Sequence, residues 1–552
     1  MSSHPIVSII PPPRSLPKDH HGPFQSSKQK SKSNTNSPIE EDDEDECHNP
    51  AYHKPKYFKN PWPSYRTASL HDAYLAYQLG AAVALPPHQT IGSSKLGLVD
   101  QEPYDEDGND DARGEDGSLR AETESMIPKR LYIRPDFSEV KEGDEFDDWR
   151  EPPIRNVGPT WLSSTRAEET GEGGNHRREK VTWLGHAGVL IRVPFKDRSG
   201  YAGVIFDPIF SYRCSPTQYV GPARYQDPPC KVSELPDIHI CCISHDHYDH
   251  LDYYTIMDLW KYHQTTIHFL VPLGLEQWFI SSGIPSTRIT ELDWWHETIV
   301  SFPPLTNPDG PFESYKDDEL PNSSSTYPPS EPEGRVRISS ETTLEEPSSL
   351  NLKFAFTPAQ HRSGRGLLDH MTTLWGSWCF GVVEDENRSK VNERGMREWK
   401  GFKVFFGGDT GYRYATALEG DDDAICPAFD EIASHYSPFS LSLLPLSTGS
   451  SLPFLRTVLS LSLDQYTLTS SLHCSPLDSL EIHRIIRSER SLGIHWGTFC
   501  DLDEARGTRV DFGRCRRKLG VSRDWDDEEV EEGKGRFVVG DIGETFILPQ
   551  RN

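Results

Sequence analysis

His245, His247, Asp249 and His250 spell H-x-H-x-D-H directly after an apolar run, Ile238 to Ser244. Such a density of imidazole and carboxylate beside a core strand is hard to keep without a metal. A buried polar group left without a partner costs about 1–3 kcal/mol, and a divalent cation removes that cost by accepting its lone pair. Imidazole with carboxylate at tetrahedral or five-coordinate geometry favours zinc, with iron or manganese as further candidates. The bland alternative is a histidine-rich surface turn. If His245 and His247 serve one ion, and Asp249 and His250 a second, further ligands must come from elsewhere in the chain.

Positioning such a cluster needs a fixed strand end. The seven mostly apolar residues from Ile238 to Ser244 predict a strand buried on both faces, with the polar cluster at its carboxyl end. Three other segments end the same way: Thr357-Pro-Ala-Gln-His361, Phe405-Phe-Gly-Gly-Asp409-Thr-Gly-Tyr412 and Gly493-Ile-His495-Trp-Gly497. Each is weak alone, since a lone strand-end histidine usually satisfies a hydrogen bond and Gly-Asp-Thr-Gly can be a simple turn. In this order beside H-x-H-x-D-H they are strong.

The surrounding pattern alternates strands and helices. Strands are predicted at 181–193 as a pair about a glycine turn, at 202–210, 268–272, 289–295, 352–360, 375–383, 402–408, 441–446 and 492–496, with a closing pair at 536–539 and 545–548. Helices are predicted over 69–85, 251–263, from Gly274, over 429–436 and over 476–489. Two long series of strands with helices between and after them imply an α/β protein, an αββα sandwich of two mixed β-sheets flanked by helices.

Residues 1–55 are rich in Ser, Pro and Lys and carry an acidic run from Glu40 to Glu46, which predicts a disordered N-terminal region. Residues 56–552 are expected to form one domain, beginning with an aromatic and proline-rich clamp over Phe58 to Tyr65 and interrupted by a low-complexity insertion at 304–348. Only 35% of the 552 residues are hydrophobic, and the mean hydropathy is −0.63. The net charge of −28 opposes nucleic-acid binding through a general basic surface. Ten scattered cysteines without a C-x-x-C pair predict reduced thiols in an intracellular, cytoplasmic protein. No signal peptide and no run of about eighteen apolar residues is read in the chain, so any membrane contact is expected to be peripheral.

Taken together, Asn60-Pro-Trp-Pro, Val181-Thr-Trp-Leu-Gly-His-Ala, Asp207-Pro-Ile-Phe, Ser244-His-Asp-His-Tyr-Asp-His-Leu-Asp, Thr357-Pro-Ala-Gln-His, Gly408-Asp-Thr-Gly-Tyr and Ile494-His-Trp-Gly-Thr-Phe resemble the metallo-β-lactamase superfamily. More narrowly they resemble the N-acylphosphatidylethanolamine-hydrolysing phospholipases D. The resemblance covers residues 58–65 and 180–500 without the insertion. It implies a metallo-β-lactamase fold and two zinc ions. His245, His247 and His361 would hold one ion, Asp249, His250 and His495 the other, with Asp409 shared. It also implies attack of a metal-bridging hydroxide on a phosphodiester, releasing N-acylethanolamine and phosphatidic acid.

Asp249, Asp409 and His473 are the candidate catalytic residues, His473 lining the pocket or serving as acid. Asp246 and Asp252 are candidate acceptors orienting the ligand histidines, and His186 is read as structural. Where the family carries Leu-Pro-Ile-Gly-Ala-Tyr, this chain has Leu444-Pro-Leu-Ser-Thr-Gly, which alters the pocket wall. The expected partner is a membrane phospholipid reached by peripheral contact, through an apolar lip over 439–463 and the segment near Trp62. A homodimer is left open. Other hydrolases on the same scaffold, a lactonase or a soluble phosphodiesterase, and a binding protein with a relic site are the competing readings.

Overall fold

The computed structural model describes residues 5–10, 12, 16, 19–22, 55–83, 150, 152–162, 178–304, 336–338, 349–366, 368–417, 420–447, 464–526 and 533–549. In chain order the strands are β1 (Ile6–Ile10), β2 (Lys180–Gly185), β3 (Gly188–Pro194), β4 (Tyr201–Phe206), β5 (Ile240–Cys242), β6 (His268–Pro272), β7 (Ile289–Leu292), β8 (Glu297–Phe302), β9 (Val336–Ile338), β10 (Leu350–Thr357), β11 (Ser377–Val382), β12 (Lys403–Phe406), β13 (Leu441–Pro445), β14 (Arg490–Ile494), β15 (Arg536–Val538) and β16 (Thr545–Ile547). The described helices are α1 (Leu70–Val83), α2 (Tyr253–His263), α3 (Glu276–Ser281), α4 (Ala428–Tyr436), α5 (Gln465–Thr469), α6 (Pro476–Ile485) and α7 (Leu502–Leu519).

The strands form two mixed sheets, ordered β16-β2-β3-β4-β5-β6-β7 and β15-β14-β13-β12-β11-β10-β8-β1-β9. Alternation along each strand decides which layer a side chain enters. In the seven-stranded sheet Trp183, Val189, Ile191, Val204, Phe206, Ile240, Cys242 and Leu270 join the main core. Leu184, Leu190, Ile205, Cys241 and Phe269 face the other way, onto Ile256 and Leu259 of α2 and Phe279 of α3. A sheet buried on both faces explains why β5 reads as continuous apolar sequence. The αββα sandwich expected from the strand series is the observed fold.

Strands β4 to β7 are mutually parallel, as are β12 to β15. Their carboxyl ends carry the chemistry-bearing residues, the usual place for a ligand in such sheets. The chain crosses from one sheet to the other between β7 and β8, where Trp295 takes a φ of 68°. Sequence reading ran this turn into a single strand.

Three expectations are corrected. Within the stretch 1–55, Ile6–Ile10 is not disordered: it pairs with β8 and β9 and buries Val7 and Ile10. Four apolar residues around Ser8 are too few to lift a window dominated by Ser, Pro and Lys, and the strand exists because two partners flank it. Likewise β9 lies within the expected insertion 304–348. The closing strands do not pair: β15 edges one sheet beside β14 and β16 the other beside β2. Helix α7 was not expected, because its charge density hides the apolar stripe; its ends are nonetheless marked by Asp501, whose side chain caps Glu504 N at 2.8 Å, and by Gly520 at φ 65°. The acidic run at 40–46 lies outside the described residues. No helix among those described is long and apolar enough to cross a membrane.

Candidate metal centre

Every residue that the sequence assigned to the two ions arrives at one end of the sandwich. His245, His247 and His361 bring a ligand atom each within 4.8 Å of one another, and so do His186, Asp249, His250 and His495. In the first group His247 Nδ1 lies 2.9 Å from His245 Nε2 and 3.2 Å from His361 Nε2. Ligands about 2.0–2.1 Å from a tetrahedral zinc stand about 3.3 Å apart, so these separations suit one ion.

Asp409 stands between the groups. Its Oδ2 is 3.2 Å from His250 Nε2 and 3.7 Å from His361 Nε2, and its Oδ1 is 2.8 Å from His495 Nε2. Two glycines allow this placement. Gly408 adopts φ +57°, and a Cβ on Gly411 would lie 2.4 Å from the Ser471 carbonyl carbon. The Gly-Asp-Thr-Gly turn therefore approaches the 471–473 segment more closely than a side chain would permit.

Outer hydrogen bonds fix which nitrogen faces inward in three of these rings. His250 Nδ1 meets Asp207 Oδ2 at 2.7 Å, His361 Nδ1 meets the Leu472 carbonyl at 2.9 Å, and His495 Nδ1 meets the Ser447 carbonyl at 3.3 Å. Each leaves Nε2 for the centre, as metal-ligating histidines require. His250 Nε2, His495 Nε2 and Asp409 Oδ1 are buried without a well-directed hydrogen bond. The charges agree. Burial alone would raise the Asp409 carboxyl, but His250 and His495 outweigh it and hold the group well below its usual range. Burial would likewise depress His250 and His495. The Asp409 and Asp249 carboxylates instead push His250 well up and His495 to about 9. Two carboxylates kept ionised in a largely buried site draw in positive charge, and a divalent cation supplies it more fully than protons do. The donor set therefore fits two cations.

The Asn60 clamp acts on this centre: Asn60 Nδ2 donates to the His361 carbonyl at 2.7 Å, and Ser64 is hydrogen-bonded to Gln360. His473 Nδ1 sits 3.7 Å from Asp409 Oδ2, with its ring stacked at 5.7 Å on His495. The cap of α6 is Ser475, two residues beyond His473. Burial pushes the His473 imidazole down to about 3.

Residues 203–311 match the beta-lactamase superfamily domain. The chain carries a metallo-β-lactamase fold domain. It is similar to N-acyl-phosphatidylethanolamine-hydrolyzing phospholipase D 1 of Caenorhabditis elegans, 28% identical over 67% of this chain and 76% of that protein. An uncharacterized protein of Mycobacterium tuberculosis is 30% identical over 59% of this chain and 60% of its own length. The N-acyl-phosphatidylethanolamine-hydrolyzing phospholipase D, mitochondrial, of Saccharomyces cerevisiae is 24% identical over 54% of this chain and 44% of that protein. Two of these three matches span less than two thirds of the relative. The superfamily is one of metallo-hydrolases, so hydrolase chemistry with a divalent metal is the coarse assignment.

Within this metallo-β-lactamase domain several secondary assignments change. His186 is not merely structural: its Nε2 lies 2.9 Å from Asp249 Oδ2 and its ring 4.1 Å from that of His495. Asp207 was seen only as a strand end, yet it also accepts from Ser244 N at 2.7 Å. Both hold positive φ, 52° and 37°, as does His495 at 56°, a backbone cost that clusters at functional sites. Asp246 and Asp252 do not orient ligand rings: Asp246 accepts from Gly364 N at 2.7 Å, and Asp252 from Ser211 N at 3.2 Å. The described part of the expected lip, 439–447, is buried strand and turn, and 448–463 lies outside the described residues. Trp62 stacks at 5.4 Å on Trp294 and belongs to the core edge.

Proposed function

We propose that this chain is a zinc-dependent phospholipase D that hydrolyses N-acylphosphatidylethanolamine to N-acylethanolamine and phosphatidic acid. The observation that carries the reading is the Asp409 carboxylate set between two nitrogen-rich groups, and two similar proteins bear that activity in their names. His245, His247 and His361 would hold one ion, Asp249, His250 and His495 the other, with Asp409 common to both. Bound there, zinc supplies Lewis acidity at the phosphoryl oxygens and lowers the pKa of a nucleophilic water.

The rest falls to side chains. Asp207 and the carbonyls of Leu472 and Ser447 keep three imidazoles turned inward, so little reorganisation is needed when the substrate arrives. His186 Nε2 holds the orientation of Asp249. His473, beside Asp409 and kept neutral by burial, lines the pocket next to the ions rather than serving as the acid.

Mass-spectrometric identification of products from N-acylphosphatidylethanolamine, with and without chelator, tests the reading. The expected result is N-acylethanolamine with phosphatidic acid, lost on chelation and restored by zinc. Turnover of water-soluble diesters or lactones alone would replace the lipase by another hydrolase on this scaffold.

A further inference from the structure

Tyr248 lies in the middle of the ligand turn, and two loops grip it from opposite sides. Ile209 and Cys214 pack on one side with Phe499. On the other, the Arg365 guanidinium sits 4.6 Å from the ring centre and 5.4 Å from that of Trp278, while donating to the carbonyls of Asp246 and Leu251. His247, Tyr248 and Asp249 are only half-buried, so the centre opens to solvent between these loops.

Both loops end in apolar side chains that face water. Tyr219 is 90% exposed, Val220 65% and Leu368 98%. Neither tip is free to fold back. Arg213 N donates to Gln218 Oε1 at 2.9 Å, Arg224 N to the Tyr212 carbonyl at 2.9 Å and Cys214 N to the Pro222 carbonyl at 3.2 Å. The second loop is tied by Arg365 N and Gly366 N to the Asp369 carboxylate, at 2.9 and 2.7 Å. Exposed Tyr253 and Tyr254 continue the rim from the ligand turn, Tyr253 meeting Trp278 at 6.0 Å.

Charge separates this rim from the rest of the chain. Residues 208–226 and 358–368 contain no Asp or Glu, although the protein carries a net charge of −28; Asp369, at the end of the second loop, is engaged by the Arg365 and Gly366 amides, and the two stretches supply Arg213 and the exposed Arg362. Tyrosine, with an apolar body and polar tip, suits a membrane interface. Arginine pairs with phosphate, while the overall negative charge disfavours a strongly anionic leaflet.

We infer that the 212–222 loop and residues 364–366 and 368–369 dock the open metal centre onto a zwitterionic phospholipid surface, with Tyr219, Val220 and Leu368 entering it. This rests on the lipid-substrate reading. It places the contact on loops that the sequence had not singled out.

The test is co-sedimentation of full-length protein with vesicles of equal parts phosphatidylcholine and phosphatidylethanolamine, which needs no turnover. Partitioning of a Tyr219→Ser, Val220→Ser, Leu368→Ser variant should fall by about tenfold or more, since binding scales with inserted apolar area. Tyr219→Trp should retain it. Turnover of lipid in vesicles should fall with partitioning, and turnover of a water-soluble phosphodiester should not. A triple variant that sediments like the wild type, or a wild type that does not sediment, overturns the docking surface. Sedimentation that follows the rim without release of N-acylethanolamine would leave the docking surface standing and reject the substrate.

Discussion

Among the described residues two buried groups of histidine and carboxylate stand apart, and they differ in how their atoms are matched. In one, His20 Nε2 lies 2.7 Å from Asp293 Oδ1 and His21 Nε2 2.8 Å from Oδ2. Each carboxylate oxygen meets one imidazole, and His20 stacks at 4.2 Å on Trp294. The group fastens residues 19–22 beside the crossing between the sheets. In the other, five ligand-candidate histidines, His186 and two carboxylates crowd together with buried nitrogens and an oxygen lacking a directed hydrogen bond, and the half-buried stretch from His247 to Asp249 gives a way in. Residue type is shared; the excess of imidazoles, six around two carboxylates against two around one carboxylate whose oxygens each meet a ring, and the half-buried edge mark the second group.

The largest effect is expected where the excess is concentrated. Asp409→Asn should cut turnover by at least about 10³-fold and lower the metal content while the far-UV spectrum is kept. Full activity in that variant would remove the shared ligand and with it the contrast.

Asp207→Asn should follow. It leaves every ligand in place but unfastens His250, at a cost of about 10–100-fold in metal affinity or turnover, read by competition with a chelator. An unchanged affinity would mean that packing alone orients the ring.

Asp293→Asn should act on stability. Replacing one of the two acceptor oxygens by an amide donor should cost about 1–3 kcal/mol in denaturant unfolding, with ion content unchanged. Loss of an ion per chain would mean that both groups bind metal. Burial alone would raise the Asp293 carboxyl, but the hydrogen bonds from His20 and His21 outweigh it and hold the group far below the usual range. A depressed folded pKa adds stability that is complete above the unfolded value of about 4 and is lost as pH falls through the folded one. Below about pH 4 the wild type should therefore converge on the variant.

The metal turn was legible because its four residues lie within six positions, and a strand end plus such density leaves few other uses. His361, Asp409 and His495 were readable only in combination, since each is an ordinary strand-end residue by itself. His186 and Asp207 escaped because their meaning is a distance: His186 meets Asp249 across 63 positions and Asp207 meets His250 across 43. Nothing local distinguishes a turn histidine that reaches a carboxylate from one that does not.

What the sequence by itself determined is the sandwich and the set of candidate ligands, because apolar alternation fixes which faces are buried and imidazole and carboxylate fix what can be bound. The tertiary structure alone decided that β1 joins a sheet, that β15 and β16 part, which nitrogen of the His250, His361 and His495 rings turns inward, and that Tyr219, Val220 and Leu368 are exposed. Pairing partners, hydrogen-bond direction and exposure are relations between distant segments, and they come into being only when the chain has folded.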